Sequence, residues 1–168
     1  MRSWAVFEGP IRNAIHALKY RRNLALGDTF ARYLSEYVIK LGWQADLVIP
    51  VPLGGQRMKS RGYNQAGLMA KPLSSRLGWK FSPKLLVRVR ETRTQVGLSP
   101  KERKLNISGA FRAEPAIAVG KSILLLDDVA TTGATLAACS EALAASGAKT
   151  IYALTLAKAL PRHGFQIV

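Results

Sequence analysis

Two adjacent carboxylates close an apolar run and lead straight into small and hydroxylated residues: Leu124-Leu125-Leu126-Asp127-Asp128-Val129-Ala130-Thr131-Thr132-Gly133-Ala134-Thr135. Acids at the end of a buried strand are costly unless something compensates them. One Asp would be enough to cap a helix, so the second asks for a ligand. At the carboxyl end of a parallel strand, where open α/β sheets take their ligands, such a pair can accept hydrogen bonds from the vicinal hydroxyls of a ribose or sit near a divalent ion. The residues after it suit a phosphate. Backbone N–H groups around residues 132–134, the hydroxyls of Thr131, Thr132 and Thr135, and the positive end of a following helix would form an anion nest. Gly133 permits the close backbone approach.

A second basic, glycine-bearing stretch lies far upstream. Residues 52–64 supply Gly54, Gly55 and Gly62 for tight approach and Arg57, Lys59 and Arg61 as cations, a composition suited to a diphosphate. Gly120-Lys121-Ser122 imitates the end of a phosphate-binding P-loop, but Pro115 stands where the first glycine is required and a strand follows instead of a helix. Cys139 reads as a small apolar residue on a helix, His16 as a helix-face residue, and Trp4, Trp43 and Trp79 as too scattered for a base-stacking platform.

To hold those residues the chain needs strands that end near them. Asp46-Leu47-Val48-Ile49-Pro50-Val51-Pro52 reads as a short doubly buried strand that stops at its prolines. Residues 122–127, 136–146 and 150–156 read as strand, Ala-rich helix and strand, hence a βαβ unit in a parallel sheet. Two helices are expected before the first strand. One starts at Pro10, with Ile11, Ile15 and Leu18 at helical spacing, and runs out near Tyr20. The other is N-capped by Asp28, carries Phe30, Leu34, Tyr37, Val38 and Leu41 as its stripe, and closes at Gly42. Residues 65–77 read as a helix that Pro72 should kink or shorten, residues 85–89 as a strand, and Ser99-Pro100-Lys101-Glu102 as the start of a short basic helix.

Composition bounds what such an arrangement can serve. The chain has 168 residues, 48% hydrophobic and 21% charged, which suits one globular domain over residues 1–168 and excludes a disordered tail or a fibrous protein. Its 25 Lys and Arg against 10 Asp and Glu give a net charge of +15, so anionic company is expected, be it nucleic acid, a phosphorylated metabolite or an acidic surface. One cysteine and two histidines exclude an internal disulfide and leave no zinc cluster. With no apolar run approaching spanning length, the expectation is a cytoplasmic protein without membrane insertion. Nine of the basic residues fall within residues 80–112, against Glu91 and Glu102.

The 124–135 segment closely resembles the ribose-5-phosphate-binding signature of type I phosphoribosyltransferases. Other landmarks are similar to the ComF/GntX branch, in family order: Ile15-His16-Ala17-Leu18-Lys19-Tyr20-Arg21, Val48-Ile49-Pro50-Val51-Pro52-Leu53, Arg61-Gly62-Tyr63-Asn64-Gln65-Ala66, Arg93-Thr94-Gln95 and residues 103–111. The resemblance departs at the amino end, where many members carry a cysteine-rich zinc ribbon, so zinc-dependent properties are not carried over.

The resemblance implies an α/β fold, a doubly wound and mainly parallel sheet with flanking helices and a small hood. It implies phosphoribosyl diphosphate (PRPP) or ribose 5-phosphate as ligand, with Mg²⁺ arriving on PRPP near Asp127 and Asp128. Those two acids would hold the ribose as the catalytic pair, Ala130, Thr131, Thr132, Gly133, Ala134 and Thr135 the 5′-phosphate, and Leu53, Gly54, Gly55, Arg57 and Arg61 the pyrophosphate. Residues 80–112 would form the flexible segment and part of the hood, where Arg88, Arg90 and Arg93 meet either the leaving group or a nucleic-acid backbone. The implied role is a PRPP-binding protein of DNA uptake and competence, with single-stranded DNA and a second copy of the chain as candidate partners. The alternatives are an active transferase acting on an unidentified base or amine, and a phosphate-binding regulatory domain.

Overall fold

A computed structural model describes residues 1–90, 107 and 109–160. The described elements are β1 (Arg2–Val6), α1 (Gly9–Tyr20), α2 (Leu26–Lys40), β2 (Leu47–Pro50), α3 (Gly55–Arg61), α4 (Gln65–Leu77), β3 (Lys80–Phe81), β4 (Leu86–Arg88), β5 (Phe111–Ala113), α5 (Pro115–Ala118), β6 (Ser122–Ala130), α6 (Ala134–Ala145) and β7 (Thr150–Lys158). Five strands form a parallel sheet in the order β1-β7-β6-β2-β3, and β4 pairs antiparallel with β5 apart from it.

Side-chain alternation splits the core into two layers. Leu47, Ile49, Ile123 and Leu125 face α6 and the β4–β5 pair, packing with Leu136, Cys139, Leu143, Leu86 and Phe111. Val48, Leu124, Leu126, Leu154 and Leu156 face the helices α1, α2 and α4, against Ile15, Leu18, Leu34, Val38, Met69 and Leu73. Covered on both faces, β2 is an unbroken buried run, which is why it was readable. From β2 the chain crosses through α3 and α4 to β3 on one side, whereas from β6 it crosses through α6 to β7 on the other. The connections leaving the carboxyl ends of these adjacent strands therefore run in opposite directions and leave a crevice between them. Among the described residues no helix is long and apolar enough to cross a membrane.

The structure corrects several expectations. A strand, β1, precedes the helices, pairing with β7 from Arg2↔Leu154 to Val6↔Lys158; as a half-covered edge strand it lacks the apolar run that marks a central one. Asp28 does not cap α2. It lies in the first turn, because Leu26 and Gly27 are already helical, and it binds Arg76 through both carboxylate oxygens at 3.0 Å. Pro72 does not shorten α4. The strand expected at residues 85–89 is β4, outside the parallel sheet, while the two-residue β3 takes the place beside β2. Strand β6 continues through both acids to Ala130 rather than ending at Asp127, and within the glycine-bearing stretch of residues 52–64 the chain forms a helix, Gly55–Arg61. Good helix formers at residues 56–59 outweigh the flanking glycines there. The basic helix expected at residue 99 lies outside the described residues.

Candidate functional site

A cavity of about 510 Å³ opens at the crevice between β2 and β6. Its floor is the end of β6. Because consecutive strand residues point to opposite faces, Asp127 belongs to the α6 side and Asp128 to the α1 side. Asp127 is half-buried, and its Oδ1 accepts from the N–H of Asp128 at 2.8 Å. Asp128 is 5% exposed, its Oδ1 accepts from Val129 N at 2.6 Å, and its Oδ2 is 2.7 Å from Lys19 Nζ. Burial first, then the neighbouring Asp128 charge, pushes the Asp127 carboxyl from 3.8 up to about 8, against the opposing pull of the Asp128 N–H and of Lys19.

Beyond the acids the chain turns at Gly133, whose φ of 80° lies in the left-handed region, and enters α6. Thr132 Oγ1 accepts from Ala134 N at 3.4 Å. Ala130, Thr131, Gly133, Ala134 and Thr135 line the cavity, and Thr132 is exposed beside it. This is a twelve-residue helix presenting its amino end and two hydroxyls to a cavity, the arrangement an oxyanion of phosphate requires.

The other wall follows β2. Leu53, Arg57 and Arg61 line it, while Gly54, buried at the N-cap of α3, and Gly55, its first residue, do not reach the cavity. Asn64 secures this wall: its side-chain oxygen caps α4 at Ala66 N, 3.0 Å, and its amide donates to Val51 O at 2.9 Å. Arg61 donates to Gln65 Oε1. Arg88 also lines the cavity, its guanidinium 5.6 Å from the Phe111 ring centroid, and its Nε donates to the carbonyl of Arg90 at 3.4 Å. Arg90 itself is exposed and outside the cavity wall, and Arg93 lies outside the described residues.

Phe7, Lys19, Tyr20 and Gln65 also line the cavity, together with the apolar Val51, Pro52, Val129 and Leu136, and the sequence alone gives none of them a role. The segment around Lys19 stood out only as a family landmark. Cys139 is buried on α6, where burial and then Asp127 push its thiol up, so it packs as an inert apolar group. His16 sits exposed on α1 between the rings of Phe7 and Tyr20. Trp4 stacks on Tyr33 and Trp43 on Tyr152, each serving its own part of the core. Among the described residues no three His, Cys, Asp or Glu side chains come together as a metal site.

Comparison with known proteins adds lineage to this geometry. The phosphoribosyl transferase domain family matches residues 16–164. DNA utilization protein YhgH of Salmonella typhimurium is 35% identical over 156 residues, covering 90% of this chain and 68% of that protein. Competence protein F of Haemophilus influenzae is 37% identical over 161 residues, covering 89% of this chain and 69% of that one. Among solved structures, adenine phosphoribosyltransferase from Thermoanaerobacter pseudethanolicus shares the fold with a TM-score of 0.53 at 16% identity, over 82% of this chain and 83% of that one.

Proposed function

Given that this chain belongs to the phosphoribosyl transferase domain family, alongside proteins named for DNA utilization and competence, we propose that its cavity binds PRPP or ribose 5-phosphate. The observation that carries the reading is the junction of β6 with α6, where a carboxylate pair and a glycine-turned helix amino end share one cavity. The residues 131–135 would hold the 5′-phosphate through backbone N–H groups and hydroxyls. Asp127 and Asp128 would lie at the ribose, and Arg57 and Arg61 would neutralise a pyrophosphate on the β2 side.

The donor set fits Mg²⁺ of a particular kind. Two adjacent carboxyl groups, with no third acidic, His or Cys side chain gathered beside them among the described residues, would suit an ion that keeps waters and arrives on phosphate oxygens, near Asp127 and Asp128. Bound there, it would offset the negative charge of a departing pyrophosphate. The names of the relatives support a role for this ligand-binding domain in handling incoming DNA.

Titration calorimetry with ribose 5-phosphate tests the reading. The parent should bind saturably; Asp127→Asn with Asp128→Asn should weaken sugar recognition, and Thr135→Val should weaken the phosphate grip, each by about tenfold. Unchanged affinity in both variants, with the fold intact, would move the site elsewhere.

A further inference from the structure

Helix α1 brings to the cavity a side chain that the phosphate loop does not account for. Lys19 lies on its last turn, lines the cavity, and pairs with Asp128 at 2.7 Å with side-chain exposures of 18% and 6%. An ammonium has three donors, and this carboxylate engages it through one oxygen. Two charges withdrawn from water only to neutralise one another are a poor stabilising device, since apolar side chains would fill the same space as well. A lysine in a cavity wall, with donors to spare, is compensated when an anion arrives.

The neighbours of Lys19 show which part of the cavity it serves. The Leu18 carbonyl accepts from Tyr63 Oη, and the Arg61 guanidinium lies 5.4 Å from the centroid of the Tyr20 ring. Both partners belong to the segment following β2, so the end of α1 is fastened to the end of α3 on each side of Lys19. Lys19, Arg57 and Arg61 thus gather in the β2 side of the cavity, separate from the phosphate nest after β6. Lys19, Arg57 and Arg61 outnumber the two acids of the cavity, Asp127 and Asp128, and leave an excess of positive charge there.

We propose that Lys19 is a diphosphate-binding residue, an ammonium seated on Asp128 and presented to a diphosphate held between α1 and α3. The assignment rests on the PRPP reading above and names the half of the ligand that α1 serves. It also gives Asp128 a second task, that of holding Lys19 in place.

Inorganic pyrophosphate and ribose 5-phosphate are titrated separately into the full chain and into Lys19→Met, Lys19→Arg and the double variant Lys19→Met/Asp128→Asn. The double variant is included because Lys19→Met alone leaves a buried carboxylate unpaired. Pyrophosphate affinity should fall by about tenfold or more in Lys19→Met and in the double variant, and Lys19→Arg should restore most of it. Ribose 5-phosphate affinity in Lys19→Met should fall by a clearly smaller factor than pyrophosphate affinity does. A lysine with a purely structural role would weaken both ligands by the same factor, and that result overturns the assignment. Parent-like pyrophosphate affinity in the folded double variant, or a parent that binds ribose 5-phosphate but not pyrophosphate, overturns it while leaving the PRPP reading standing. A parent that binds neither ligand removes both.

Discussion

Asp127 holds a proton in the folded protein at pH values where the unfolded chain has lost it. Its carboxyl is raised from 3.8 to about 8, so the folded state binds the extra proton between those values. The associated stability is fully present below about pH 4 and is lost as pH rises through about 8. Thermal melts of the parent should therefore fall across pH 5 to 8 more steeply than those of Asp127→Asn, which cannot ionise; parallel curves would mean that the carboxyl is not so perturbed. At this scale one half of the candidate cavity is legible in the sequence. Two acids abutting an apolar strand announce a ligand, and Gly133 announces a turn. Lys19 was silent, because its partner Asp128 stands far along the chain and only the docking of α1 on the sheet brings them to 2.7 Å.

The packing of α2 on α4 shows how an element adapts to its neighbour. Pro72 has no N–H to give to the Leu68 carbonyl one turn earlier. That carbonyl lies against Gly27 of α2, where an added Cβ would come within 2.7 Å of the oxygen. Gly27 is thus needed for space, and Gly27→Ala should cost about 1–3 kcal/mol in chemical denaturation. The Arg76–Asp28 pair on the same two helices is exposed, and Arg76→Ala should cost less than about 1 kcal/mol by the same measurement. Elements were legible in proportion to their burial. β2, the first part of β6, and the start and end of α1 followed from apolar runs and spacing. The edge strand β1 and the two-residue β3 carry too few covered side chains to leave a pattern, and α3 was masked by the glycines at its ends.

On the scale of the whole molecule, the parallel sheet is readable because strand, helix and strand follow one another at βαβ spacing in residues 122–156, whereas the helices on both of its faces are what the family resemblance implies. The crevice was not, since it depends on which strands are neighbours, and no local pattern says that β6 lies beside β2. The net charge of +15 also belongs to this scale, and the single-stranded DNA reading can be judged through it. If Arg88 and Arg90 meet phosphates, affinity for single-stranded DNA should fall with salt at a log–log slope of about −0.7 per phosphate contacted. Charge reversal at both should flatten the slope, and an unchanged slope would place the DNA surface elsewhere.

The PRPP reading meets its most direct test in thermal unfolding of the full chain with and without PRPP and Mg²⁺. A ligand present at a hundred times its dissociation constant adds about 2.7 kcal/mol to stability, which in a chain of this size raises the melting temperature by roughly 5–10 °C. The site built from Asp127, Asp128 and residues 131–135 predicts that rise in the parent and its loss in the Asp127→Asn/Asp128→Asn variant. An unmoved parent melting temperature at millimolar PRPP with Mg²⁺ would contradict it.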